Sequence, residues 1–365
     1  MVRPLCLRMA VMFVLLGTAV TSARADNDKS GFFVGLGYGL SVSQVHNFKI
    51  IDDEETRWLF PFHERVLSED LHSANFYWGS EDYSEIRFQR GNVAFGGSAG
   101  YLFSALRLEI ELTHESSEIL KSGIQKGRKG GGFPFVLGKR EAMVSLRKGY
   151  DRAALIGRLS RENVVAIEKY MVSELGYAQQ RRLAVEQEEE YRGAYKNKHV
   201  VGVLPKNVDN NLFNLLDLMV EQSVLFTKAL ALTVEGAEVI EIMSVRNTTA
   251  TLNLCYDLPG SELVKLNISP YTCAGIGGSV IGITKGHANL QFSYKIKFGL
   301  NYHFRSNAVA YIGASYQKVL GSEYYNVPLK RLIDDVSSVN RIREKTSVGF
   351  GLQYIGLELG ARVSF

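Results

Sequence analysis

The last nineteen residues of this 365-residue chain, 347–365, carry a period-two pattern. Phe365, Val363, Ala361, Leu359, Leu357 and Ile355 form one row, and Ser364, Arg362, Gly360, Glu358 and Gly356 form the other. A period of two sends the two rows to opposite faces of a strand. Half-buried strands of soluble proteins alternate too, but few run past about ten residues, and a long one leaves an edge that must be covered. A tilted strand crossing a bilayer needs about 9–11 residues, which this alternation supplies. Arginine on the lipid side costs roughly 2–4 kcal/mol near the bilayer midplane, so the row with Arg362 and Glu358 is assigned to a lumen and the apolar row to lipid. Phe365, ending that strand, reads as the assembly signal presented to the barrel-assembly machinery.

Seven more segments repeat the pattern. In 290–304, Leu290, Phe292, Tyr294, Ile296, Phe298, Leu300, Tyr302 and Phe304 oppose Gln291, Ser293, Lys295, Lys297, Gly299, Asn301 and His303. In 105–113, Leu106, Leu108, Ile110 and Leu112 oppose Arg107, Glu109, Glu111 and Thr113. Fainter strands are expected at 31–40, 92–103, 248–257, 269–282 and 308–320. Eight strands allow closure with both ends on the periplasmic side. The turns there, near Ser104, at 257–269 and at Ser306-Asn307, are short. The outer loops, 41–91, 114–247, 283–289 and 321–346, include three long ones, the asymmetry expected of outer-membrane barrels.

At the other end, Arg3 and Arg8 precede the apolar run 9–20, and Ala23-Arg24-Ala25 offers a small-x-small site, so residues 1–25 read as a secretory signal cleaved after Ala25. The run is too short to span a bilayer as a helix. The signal removes three arginines and no acid, taking the formal charge from +4 to 4 − 3 = +1. What remains has no dense basic face, which excludes a nucleic-acid partner. The 18 Tyr, 19 Phe and 35 Gly suit a barrel with aromatic girdles.

The stretch 114–247 departs from a plain barrel. It opens on the basic, glycine-rich run 126–132, which reads as a solvated loop. Two helices are expected, a charged one over 164–195 and a more apolar one over 212–232, and both belong to a partly helical extracellular insert. A connection this long is functional or mobile.

Candidate site residues follow from the inward rows. Arg107, Glu109, Glu111, Lys295, Lys297, His303, Glu358 and Arg362 are expected to face the lumen, where they either line a wet pore or pair with one another and fill it. Side chains nearly occlude an eight-stranded barrel, which favours the second. Cys255 and Cys273, the two cysteines left after the signal, have equal parity on neighbouring strands; a disulfide and two buried thiols both fit. His303 and Glu358 are the one pair an enzyme reading can point to. No nucleophile occupies a recognisable setting, so no catalytic activity, cofactor or metal is expected.

The C-terminal third carries, in order, Cys255-Tyr256-Asp257, 269–278 (SPYTCAGIGG), 294–302 (YKIKFGLNY), 318–324 and 356–365 (GLELGARVSF). In these motifs it resembles the major surface proteins and outer-membrane porins of Anaplasma- and Ehrlichia-type bacteria. Residues 31–35, 45–48, 100–101 and 107–111 extend the resemblance to the N-terminal strands. The resemblance implies a surface-exposed outer-membrane antigen, a porin in some members, and no catalytic residues.

The expectation is therefore an all-β protein: a transmembrane antiparallel up-and-down β-barrel of eight strands, residues 26–365, interrupted by the insert. It serves either passive diffusion of small hydrophilic solutes or, with an occluded barrel, display of loops to host surface molecules and antibodies. Its partners are outer-membrane lipid, the assembly machinery and these host molecules.

Overall fold

A computed structural model describes residues 30–52, 55–62, 70–79, 86–120, 132–146, 152–174, 223–258, 267–338 and 343–365. The expected signal, the basic run up to residue 131 and much of both expected insert helices lie outside the described residues.

The long strands are β1 (Ser30–Asp52), β3 (Gly91–Phe103), β4 (Leu106–Glu118), β7 (Ser244–Asp257), β8 (Ile268–Gly282), β9 (Asn289–Arg305), β10 (Ala308–Val319) and β13 (Lys345–Ser364). They pair antiparallel in this order, and β13 closes the ring against β1. Several run further than the alternation indicates: β1 continues through twelve residues assigned above to an outer loop. A bulge between His46 and Lys49, with Asn47 at a φ of 53°, lets it bend there without losing its partner.

Pairing fixes the barrel's dimensions. From Val42 the paired residues run through Ile355, Tyr316, Ile296, Ala274, Leu254, Leu108 and Tyr101 back to β1 at Phe32, 42 − 32 = 10 residues below the start. With about 3.3 Å per residue and about 4.8 Å between strands, a stagger of ten over eight strands tilts them by about 41° and sets a backbone radius of about 8 Å. Each residue then climbs about 2.5 Å along the axis.

Outward residues are apolar and open to their surroundings. Phe32, Leu36, Tyr38, Leu40 and Val42 on β1, Ile110 and Leu112 on β4, and Phe298 and Leu300 on β9 are all exposed. From Phe32 to Val42 the band is about 25 Å tall, the hydrocarbon height of an outer membrane. An aromatic girdle of Phe32, Tyr101, Phe103, Tyr256, Tyr302 and Phe304 rings its lower edge, with Phe32 edge-on to Tyr101 at 4.9 Å. No described helix is long and apolar enough to cross a membrane; the strands do the crossing.

Above the barrel the outer loops build a folded cap. Strands β2 (Glu55–Pro61), β5 (Phe133–Gly138), β6 (Glu238–Ile242) and β12 (Lys330–Arg331) form a second sheet in the order β2-β5-β6-β12. Helices α1 (Arg140–Ser145), α2 (Arg152–Ile156) and α3 (Ser223–Leu230), with a helical stretch over 161–174, pack on its far side. A π-helical turn, Ala231–Glu235, ends α3. The short β11 (Glu323–Pro328) lies along the upper part of β13. The cap is not made from the insert alone, because β2 comes from the first outer connection and β12 from the last.

Candidate functional site

The inward rows meet in a lumen that is filled in storeys. Lowest is Arg107, 2% exposed, whose Nη1 donates to both carboxylate oxygens of Asp257 at 2.8 Å. Arg362 donates to Asn301 and lies over the rings of Phe33, Tyr271 and Tyr311, with its guanidinium carbon 5.2 Å from the Tyr311 centroid. Cys255 and Cys273 face each other across β7 and β8 at this level, with Cα atoms 4.0 Å apart, and form a disulfide.

One storey up, Lys297 Nζ sits 2.8 Å from Glu109 and 3.0 Å from Glu111, while Lys295 Nζ is 2.8 Å from Glu111 and 3.8 Å from Glu358. Asn253 donates to both Glu109 and Glu111. These charged groups come from β4, β9 and β13, and the stagger of the barrel decides which of them share a height. The wall opposite is thinned to make room. Gly37 and Gly360, paired on β1 and β13, leave the space Tyr311 occupies: a Cβ on Gly360 would lie 2.3 Å from its ring.

The next storey is neutral. Ser117 donates to Ser43 at 2.8 Å, and Gln317, Thr249, Ser279 and Ser293 form a connected hydroxyl and amide chain. Glu115 is buried here among Ser41, Lys295 and Tyr354, and among the described residues it is the one lumen acid without an ion-pair partner.

An apolar core closes the outer mouth. Ile281, Val319, Val348, Phe350 and Leu352 from the barrel pack with Leu59, Phe135, Leu137, Ile240 and Ile242 from the underside of the cap sheet. Phe350 stacks on Tyr324 at 4.2 Å. The upper face of the same sheet, with Phe60, Val136 and Val239, belongs to a second core built with Phe226, Leu230, Ile167 and Met171.

Polar latches fix the cap. Glu238, 1% exposed, takes Lys139 Nζ at 2.8 Å and accepts from the Arg343 amide at 2.7 Å. Glu235 accepts from the amides of Glu141 and Ala142 at the start of α1. Burial pushes its carboxyl above the ordinary glutamate range, and those two amides pull in the opposite direction.

Seven of the eight sequence-derived lumen residues lie in this stack. His303 does not: it keeps the inward parity but falls past Asn301 at the lower rim, exposed, with Nε2 3.0 Å from Ser269 Oγ. A bulge beside it, where Ala308 pairs with Arg305 and Val309 with His303, ends the regular wall. His303 and Glu358 are therefore not brought together. Sequence reasoning missed the lumen residues Asp257, Glu115, Asn253 and Asn301, although each lies on an inward row. Among the described residues no group of three or more His, Cys, Asp or Glu is placed to hold a metal ion.

Two solved barrels, Neisserial surface protein A (9% identity, 92% of this chain and 99% of that one, TM-score 0.34) and OprG of Pseudomonas aeruginosa (9%, 91% and 96%, TM-score 0.33), are distant likenesses. Major surface antigen 4 of Anaplasma marginale is 31% identical over 127 residues, a stretch covering 35% of this chain and 42% of that relative. The family model for surface antigens matches residues 24–365, nearly the whole chain, and the protein belongs to that family.

Proposed function

We propose that this outer-membrane surface antigen is a non-conducting barrel that serves as a rigid stalk, holding its folded cap at the cell surface for contact with host molecules. The supporting observation is the apolar core at the outer mouth, which is shared between barrel wall and cap sheet and lies directly above a lumen already filled by paired charges. A diffusion pore needs a continuous wet path, and a dozen buried apolar side chains across the mouth oppose one. Glu109, Glu111 and Glu358 lie against Lys295 and Lys297, Arg107 pairs with Asp257 and Glu109, and Arg362 is held by Asn301 and three aromatic rings, which is the arrangement of a filling and not of a selectivity ring.

The test is planar-bilayer recording on the refolded full chain. The expected result is no step conductance above that of lipid alone. Reproducible ohmic steps that saturate with salt would overturn the reading in favour of passive solute diffusion.

A further inference from the structure

The disulfide of Cys255 and Cys273 lies inside the finished wall, and neither residue is more than 2% exposed. It packs with Tyr271 and Tyr311 across the lumen. Arg107 covers it from the side, with Nη2 3.5 Å from Cys273 Sγ. Toward the lower rim stand Asp257, paired with Arg107, and the buried Tyr271 and Asn301. Toward the outer mouth, Asn253 and Glu109 are buried in turn. Behind it, β7 and β8 are hydrogen-bonded to each other and to β4 and β9.

The chemistry of making the bond demands access that this packing denies. A thiolate attacks one sulfur of the oxidant's disulfide and expels the other as a thiolate; the second cysteine then attacks the mixed disulfide and releases the oxidant as a dithiol. Two electrons and two protons pass from the pair of thiols to the oxidant. Midway, a sulfur of the oxidant must sit about 2 Å from one of the two cysteine sulfurs. A lumen with a backbone radius of about 8 Å, already filled by Arg107, Tyr271 and Tyr311, cannot admit the active site of a protein. The open chain presents no such barrier. Strands β7 and β8 are consecutive, and the cysteines are direct cross-strand partners with a sequence separation of 18, so they meet without help from any other strand.

We infer that the link between Cys255 and Cys273 is made before the barrel closes, by a disulfide-bearing protein oxidant acting on the open chain in the oxidising compartment outside the inner membrane. The bond then holds β7 against β8 in the pairing the wall uses, Leu254 with Ala274 and Leu252 with Ile276. A slip of one residue would turn the apolar row of one strand toward the lumen, so the covalent link guards the register while the chain awaits its other strands. Closure seals the bond against reductants behind the same side chains.

The test supplies a thioredoxin-fold dithiol oxidant, in its disulfide form, to the reduced full chain at two times: in dilute urea before lipid vesicles are added, and after a heat-modifiable gel shift shows a closed barrel. Alkylation of Cys255 and Cys273, read by peptide mass spectrometry, follows the reaction. The expected result is oxidation at least a hundredfold slower in the closed barrel. Equal rates overturn the order of events, and so does full alkylation of both cysteines in protein taken unreduced from its own membrane. If the reduced chain does not close a barrel, the reverse reaction passes through the same mixed disulfide and is measured instead. The oxidised chain, either in dilute urea or folded in vesicles, is then exposed to an excess of a reduced dithiol protein of the same fold. Reduction confined to the open chain supports the inference, and equal reduction of both forms overturns it.

Discussion

Replacing Lys297 by methionine tests whether the lumen is dry. The side chains are similar in volume, so the change removes a charge with little cavity. Lys297 is 5% exposed and bridges Glu109 and Glu111 at 2.8 and 3.0 Å, with Glu358 at 3.9 Å. The charges lining the lumen are Arg107, Arg362, Lys295 and Lys297 against Glu109, Glu111, Glu115, Glu358 and Asp257, formally 4 − 5 = −1, and the variant takes this to −2. Removing one partner of a buried pair costs about 3–5 kcal/mol, whereas an exposed pair is worth about 1 kcal/mol or less. Glu109 still holds Arg107 at 3.3 Å and Glu111 still holds Lys295 at 2.8 Å, so the lower end, about 3 kcal/mol, is expected. Urea unfolding of protein folded into lipid vesicles, followed by circular dichroism, measures it. Adding Glu109→Gln returns the net lumen charge to −1 and should recover about 1 kcal/mol or more. A loss below about 1 kcal/mol for Lys297→Met would mean that water screens the cluster, and the occluded-barrel reasoning would fail with it.

Four further outcomes are expected. Gly360→Val puts a side chain against Tyr311 and the Leu36 carbonyl, and it should lower the temperature of the folded-to-unfolded gel shift by an amount equivalent to about 1–3 kcal/mol; an unchanged temperature refutes the packing. Phe350→Ala should cost about 3–5 kcal/mol and speed limited proteolysis of the cap, since it opens the core between cap and barrel; a protease-resistant cap would count against a shared core. Changing Cys255 and Cys273 together to alanine opens a link with a sequence separation of 18 and should cost about 3 kcal/mol at most, read from the urea midpoint against wild type. Glu235 has a carboxyl pKa raised on folding, so its contribution is fully present below the unfolded value and is lost as pH rises through the folded one; hydrogen exchange at α1 should therefore quicken with pH, beyond the intrinsic trend, less in Glu235→Gln than in wild type.

What the sequence discloses of this molecule follows from how many faces each strand buries. A wall strand has lipid on one side and lumen on the other, so Arg107, Glu109 and Glu111 stand out against Leu106, Leu108 and Ile110 by parity alone. Which charges meet is a different matter. Lys297 reaches Glu109 and Glu111, 186–188 residues away, because a stagger of ten residues brings β4 and β9 to one height. That stagger is the sum of eight pairings, none of which is marked in the chain. His303 shows the reverse limit, since parity continues past the point where the wall ends.

The cap was illegible for a physical reason. Phe133-Pro134-Phe135-Val136-Leu137 has no period because β5 is buried on both faces, with Phe135 and Leu137 over the barrel mouth and Val136 under the helices. The strands of its sheet, β2, the β5–β6 pair and β12, come from three separate outer connections, and β5 and β6 are about a hundred residues apart, so no local hairpin signal announces the sheet.

That construction also ties display to occlusion. The sheet needs a second apolar layer beneath it, and the barrel mouth supplies it with Val319, Val348, Phe350 and Leu352. Strand β6 passes into β7 through Met243 alone, and β1 into β2 through two residues, so the cap cannot swing away without breaking wall pairings. A pore opened by cap movement would expose both halves of that core to water, at about 25 cal/mol for every Å² uncovered. A rigid cap, in contrast, keeps its outer surface in a fixed pose above the membrane. Sequence change on that outer surface would then leave the underside, and hence the barrel, untouched.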